Sequence, residues 1–155
     1  MSMMLWMTLA CTCTPQAEIS GAPEASISWT KIEGDRVLTD EVAREAAAAV
    51  EAGEKPVAYL GAGWCAPCLV YKKVKDDPAM VAAHEGVRII EIDADEYAAE
   101  LPGAGFITSG IPFWVHLDEH GAPQPESITG GAWADNTVAN MAPVLERFFA
   151  ADQAP

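Results

Sequence analysis

Apolar and polar residues fall in blocks along this chain, and the period of the blocks changes from one to the next. Val57-Ala58-Tyr59-Leu60 and Val87 to Ile92 are short apolar runs of the kind that form strands buried on both faces. Phe113 to Leu117 reads the same way. Between these runs the period is helical. Val42, Ala46, Ala49 and Val50 mark a helix over 41–52, capped by Thr39 or Asp40 and ended by Gly53. A second helix is expected over 66–76, a short one from Pro78 to His84, and a last amphipathic one over 135–150. Pro143 lies inside the last pattern, removes one backbone donor, and is expected to kink or divide it. A short first strand is expected within 29–37, and a polar loop with a helical turn over 93–101. Asp118-Glu119-His120-Gly121 reads as a hairpin turn into a weak strand near Ser127-Ile128, and Gly130-Gly131 as a kink. The order βαβαβ followed by ββα predicts an α/β fold, with a mixed four- to five-stranded sheet flanked by helices on both faces.

Before residue 29 the pattern breaks. Met1 to Ala10 is apolar, and no charged side chain precedes Glu18. The stretch suits the apolar region of a signal peptide and is too short to span a membrane. Thr8-Leu9-Ala10-Cys11 resembles a bacterial lipobox, in which the cysteine becomes lipidated. Thr8 stands where that pattern prefers an aliphatic residue, and the basic flank is missing. Pro15, Gly21 and Pro23 then interrupt a stretch without hydrophobic period, which is a linker composition. The expected organisation is a signal- or lipoprotein-like segment over 1–14, a flexible linker over 15–28 and a folded domain over 29–155. The expected location is outside the cytoplasm, in a periplasm, with a lipid on Cys11 as the only membrane attachment. A cytoplasmic chain with an incidental apolar N-terminus is the alternative.

Composition narrows the function. Among 155 residues, 9 are basic and 23 acidic, a net charge of −14. Such a chain repels nucleic acid phosphates and anionic membranes, so neither is expected as a partner. The four cysteines are too few for a disulfide-stapled scaffold, and their positions at 11, 13, 65 and 68 suggest two separate jobs. No glycine-rich phosphate loop follows a strand. His84, His116 and His120 share no ligand spacing and are read as surface or hairpin residues. Trp114 and Trp133 are read as packing residues. Lys72, Lys73 and Lys75 complement a helix C-terminus; with Lys55 they form the alternative of a positive patch.

The candidate chemistry is at Trp64-Cys65-Ala66-Pro67-Cys68. The two cysteines follow a buried-type strand and open a helix, where unpaired N–H groups and the positive helix end meet the first sulfur. That position favours thiolate over thiol. Pro67 suits the first helical turn. Two intervening residues allow the sulfurs to close a disulfide across one turn. Cys65, at an exposed helix start, is the expected nucleophile, and Cys68, further inward, the resolving thiol. Trp64 would cover the site. A static structural disulfide and a zinc half-site are the other readings of the same spacing.

These residues resemble the thioredoxin-like thiol-disulfide oxidoreductases, over about residues 54 to 150. The marks are Lys55-Pro56-Val57, Trp64-Cys65-Ala66-Pro67-Cys68, Ile92-Asp93 and Gly110-Ile111-Pro112-Phe113. The look is closest to the periplasmic thioredoxin-like domain of thiol:disulfide interchange proteins. The resemblance implies a cis bond before Pro112, packed against the active disulfide, and an Ile111 backbone that pairs with an extended substrate. It also implies a buried aspartate and a lysine partner, but Tyr59 and Ile89 stand at those positions. Proton transfer then falls to water, Glu91 or the Tyr59 hydroxyl. The aromatic pair before the site is reduced to Leu60-Gly61.

The expected activity is reduction of protein disulfides through Cys65 and Cys68, with Trp64, Ala66, Pro67, Ile111 and Pro112 in support. Ala66-Pro67 and Ile111 resemble reducing members. No metal and no cofactor beyond the Cys65–Cys68 disulfide is expected. The expected partners are protein dithiols or disulfides and a membrane thiol-disulfide donor, met by a monomer. An oxidase or isomerase with the same site is the first alternative, and a non-enzymatic binding module the second.

Overall fold

One four-residue run supplies both cores. In the computed structural model, which describes residues 26–151, strand β2 (Lys55–Gly61) turns Val57 and Tyr59 to one face of the sheet and Ala58 and Leu60 to the other. Strand β3 (Val87–Asp93) does the same with Val87 and Ile89 against Ile90 and Ile92. Strands that are apolar on both sides need cover on both sides. Helix α1 (Leu38–Glu51) covers the second face through Leu38, Val42 and Ala46. Helices α2 (Ala66–Val74), α3 (Pro78–Ala83) and α4 (Val138–Ala150) cover the first, through Cys68, Tyr71, Met80, Met141, Leu145 and Phe149.

With β1 (Ser28–Lys31), β4 (Phe113–Leu117) and β5 (Pro123–Thr129), the sheet has five strands in the order β1-β3-β2-β4-β5. β1, β3 and β2 run parallel, while β4 is antiparallel to β2 and β5 to β4. This is the expected mixed α/β sheet with helices on both faces. The register places Leu60 opposite Phe113. The end of β2 that leads to Cys65 and the start of β4 that follows Pro112 therefore share one end of the sheet. Lys55 marks the opposite end.

Several elements differ from expectation. Strand β1 starts at Ser28 and Ile27 is buried in the core, so the folded part begins inside the stretch read as linker. Helix α1 starts at Leu38, and neither Thr39 nor Asp40 caps it; its N-cap is Val37, without a side-chain bond. The Leu38 N–H instead donates to Glu100 Oε2 at 2.9 Å, so the cap comes from a segment distant in sequence. Residues 94–105 form successive turns, and Tyr97, Leu101 and Phe106 are buried with α1 on the second face. Strand β5 is longer than the weak strand expected. Helix α4 begins at Val138 and runs undivided through Pro143. A proline inside a helix costs about 3 kcal/mol, and burial of Met141, Leu145, Phe148 and Phe149, at about 1.5–3 kcal/mol each, outweighs it.

The hairpin turn after β4 docks on α1. Asp118 Oδ1 accepts from the His120 and Ala122 N–H groups, each at 2.9 Å. Gly121 has φ 81°, and a Cβ there would stand 2.8 Å from the Ala43 nitrogen, so glycine is required twice over. Among the described residues no helix is long and apolar enough to cross a membrane. Cys11, Cys13, the segment 1–14 and the linker up to residue 25 lie outside the described residues.

Candidate active site

Gly61 ends β2, and Ala62-Gly63-Trp64 carry the chain straight onto α2. Cys65 is the N-cap, with extended backbone (φ −75°, ψ 102°). Its N–H donates to the Ala62 carbonyl at 3.2 Å, and its carbonyl accepts from the Leu69 N–H at 3.0 Å. Ala66 and Pro67 form the first turn, where proline lacks no bond the helix would make. The Cys68 N–H donates to Cys65 Sγ at 3.3 Å, so the sulfur takes the place of a capping oxygen. Cys65 and Cys68 are joined by a disulfide, with S–S 2.06 Å and Cα atoms 5.2 Å apart. The Cys68 N–H and the positive end of α2 both favour negative charge on the Cys65 sulfur once that bond opens.

Cys65 is less open than its place at a helix start suggests. It keeps 3% of its surface and Cys68 none. The expectation of an exposed nucleophile is corrected, because Cys65 belongs to an apolar cluster with Tyr59, Ala62 and Trp133, against which Ile111 also packs. Solvent meets Trp64 instead, which is 70% exposed. Its indole N–H donates to Asp95 Oδ2 at 2.7 Å. Asp95 is itself set by the turn after β3, where Asp93 Oδ1 accepts from the Asp95 N–H at 3.0 Å and the Glu96 N–H at 3.2 Å.

From the other side, Ile111 and Pro112 lead into β4, and the peptide bond between them is cis. Pro112 is buried and Ile111 half-buried. The Pro112 carbonyl accepts from the Gly130 N–H at 2.9 Å. A Cβ on Gly130 would stand 3.0 Å from the Pro112 ring. The glycine read as a kink is thus a contact position for Pro112. Gly130 and Asp95 escaped the sequence reading. The signal for Gly130 was its place just past the strand that pairs with Phe113.

A run of aromatic rings from the sheet, α2 and the loop after β5 shares the apolar cluster of the disulfide. Ring centroids are 5.6 Å apart for Trp29 and Tyr59, 5.1 Å for Tyr59 and Tyr71, 4.9 Å for Tyr71 and Trp114, and 5.4 Å for Trp114 and Trp133. Tyr59 is fully buried, and its hydroxyl has no hydrogen-bond partner. Burial first, and then the Glu91 carboxylate, hold its pKa well above the ordinary value of 10. Glu91 lies opposite Tyr59 on β3. It accepts from Trp29 Nε1 at 2.9 Å and forms a close ion pair with Lys72.

Lys72 thus turns to β3, Lys75 pairs with Asp76 at 2.7 Å, and Lys55 donates to the Phe149 carbonyl at 3.3 Å, at the far end of β2. Lys55 is thus set apart from the lysines of α2, at the end of β2 opposite the disulfide. His84 and His116, expected at the surface, are buried. His84 Nδ1 lies 2.7 Å from the Met80 carbonyl and Nε2 2.7 Å from the Tyr71 hydroxyl. A carbonyl only accepts, so Nδ1 carries the proton and Tyr71 donates to Nε2. Burial lowers the His84 pKa to about 4, against a smaller opposing effect of the Met80 carbonyl. His116 Nε2 meets the Phe148 carbonyl at 2.9 Å. Trp114 and Trp133 are buried, as expected of packing residues. Among the described residues no three His, Cys, Asp or Glu side chains converge as metal ligands.

No protein-family model and no curated protein matches the chain. Solved structures do. A disulphide isomerase from Xylella fastidiosa Temecula1 aligns over 77% of this chain and 93% of its own, with TM-score 0.57 and 21% identity. A thioredoxin from Trypanosoma brucei brucei aligns over 83% and 91%, with TM-score 0.52 and 13% identity. An oxidised thioredoxin from Arabidopsis thaliana aligns over 79% and 95%, with TM-score 0.51 and 19% identity. The fold is therefore thioredoxin-like, as the sequence motifs implied, and the Cys65–Cys68 disulfide opens its second helix.

Proposed function

We propose that this protein is a thiol-disulfide oxidoreductase that reduces protein disulfides through Cys65 and Cys68. The observation that carries this reading is a disulfide closed across the first turn of α2, with the Cys68 N–H on Cys65 Sγ. The thioredoxin-like fold supports it. In the reduced protein the Cys65 thiolate attacks one sulfur of a substrate disulfide, and the other sulfur leaves as thiolate. Cys68 then gives up its proton and attacks Cys65 Sγ. The internal disulfide re-forms, and the second substrate sulfur leaves and takes up a proton. One substrate disulfide becomes two thiols, and one protein dithiol becomes a disulfide, so the electrons balance without a further cofactor.

The supporting residues act by position. Ala66 and Pro67 hold the first turn of α2, Trp64 presents an exposed apolar face beside the site, and Ile111 with Pro112 forms the opposite wall. Ile111 offers its backbone to an extended substrate segment. The electrons come from a membrane thiol-disulfide protein. The domain works as a monomer outside the cytoplasm, tethered through a lipid on Cys11. The same site would serve an oxidase or isomerase, and the likeness to a disulphide isomerase supports that second reading.

The test is the equilibrium of the full chain with a thiol-disulfide redox buffer, following the Cys65–Cys68 couple. The expected potential is about −250 mV or lower. A value between about −120 and −180 mV would assign the site to an oxidase or isomerase. A disulfide that opens only when the protein unfolds would make it structural and end the reading.

A further inference from the structure

Among the buried polar atoms of the disulfide face that lack a partner, the Tyr59 hydroxyl is the one that points along β2 toward the site. It is fully buried and unpartnered. The ring lies along β2 toward the end of the strand that meets the site, because a Cβ on Gly61 would stand 2.7 Å from the hydroxyl oxygen. Gly61 is the last residue of β2, and the chain reaches Cys65 within one turn of it. The absent side chain at Gly61 is what leaves the hydroxyl room. Tyr59 shares its apolar cluster with Ala62, Cys65 and Cys68, and its ring touches that of Tyr71, which follows Cys68 on α2.

Of the other polar groups here, Trp114 Nε1 of β4 is also unpartnered, and the rest are committed. Glu91 of β3 holds Lys72 of α2 and the Trp29 indole of β1. The Tyr71 hydroxyl of α2 serves His84. Helix α4 brings Met141 and Leu145 to the cluster, which are apolar. A buried donor without an acceptor is costly, and a disulfide sulfur is a poor acceptor. A thiolate is a strong one.

We propose that the Tyr59 hydroxyl donates to the Cys68 sulfur when the disulfide opens, favouring the dithiol form and stabilising the thiolate with which Cys68 resolves a mixed disulfide. This rests on the exchange reading above. Opening adds two electrons from the donor dithiol and two protons from solvent, and gives two thiols. The raised pKa of Tyr59 keeps its proton in place at working pH, so it acts as donor and not as base. The proton of Cys68 leaves to water.

The test is Tyr59→Phe in the full chain, which keeps the ring. The equilibrium constant for reduction by dithiothreitol is expected to fall about tenfold, a potential lower by about 30 mV. The Cys68 thiol is expected to titrate at higher pH. The oxidised variant is expected to melt no lower than the oxidised wild type, and the reduced variant to melt lower than the reduced wild type. A purely structural role would lower both melting temperatures together. An equilibrium constant within twofold of wild type, or melting temperatures that move together, would overturn the proposal. If the wild-type couple itself cannot be reduced in the folded state, the exchange reading has failed; a reducible wild type with an unaltered Tyr59→Phe removes this inference alone.

Discussion

The two faces of the sheet use the same strands and are built to different rules. The face under α1 is mostly aliphatic, with Leu38, Val42, Leu60, Ile90, Ile92 and Leu117 fully or nearly buried. The face under α2 and α4 buries Tyr59, Tyr71, Trp114, Trp133, Phe148 and Phe149 among its aliphatic residues and carries the disulfide. Every buried side-chain polar atom left without a partner among the described residues (Tyr59 Oη, Trp114 Nε1 and His116 Nδ1) falls on this second kind of face. Aliphatic packing leaves no side-chain polar atom to satisfy, whereas the tyrosine, tryptophan and histidine side chains of the second face bring buried polar atoms that need partners. One step along β2, from Leu60 to Tyr59, crosses from one regime to the other.

The comparison can be broken hardest at the disulfide. Cys65→Ser should reduce disulfide turnover to background while the fold persists, since the aliphatic face is untouched. Cys68→Ser should accumulate a mixed disulfide with substrate, visible on non-reducing gels. Substrate trapped on Cys68 in the Cys65→Ser protein, and none in the Cys68→Ser protein, would reverse the assigned roles.

On the aliphatic face, Leu60→Ala should cost about 2–5 kcal/mol in denaturant unfolding and leave the reduction potential of the couple unchanged. A shifted potential would mean that the two faces are coupled and the contrast too simple.

The smaller test is by pH. His84 is neutral in the fold, with its pKa lowered to about 4 from the free value of 6.5. Between those values the unfolded chain binds a proton that the folded chain refuses. Stability from this source is therefore complete above pH 6.5 and is lost as pH falls toward 4. The full loss is about 3 kcal/mol. Unfolding curves at pH 7 and pH 4.5 should diverge less for His84→Gln than for wild type. An equal divergence would place the acid sensitivity elsewhere.

The strands were legible because their evidence is local. Val57 to Leu60 and Val87 to Ile92 carry the pattern of a two-sided strand within themselves, and Trp64 to Cys68 carries its chemistry in five residues. Most of what escaped was set by side chains and carbonyls that only the fold brings together. His84 is a buried histidine because Met80 on its own helix and Tyr71 on the helix before receive it, and His116 because the distant Phe148 carbonyl does. Half-exposed Lys72 of α2 pairs with Glu91 on β3, and Leu38 opens a helix because Glu100 is there to accept its N–H. Cys65 was expected open from its helix position alone, but burial depends on what the next loops bring against it.

The order of the strands in space also bears on how the chain is made. Ser28 pairs with Arg88, and Lys55 with Val87. Neither β1 nor β2 has a parallel neighbour until β3 has been synthesised, and β4, the other neighbour of β2, comes later still. A chain emerging from the ribosome N-terminus first therefore forms none of its strand pairs until synthesis has passed Val87.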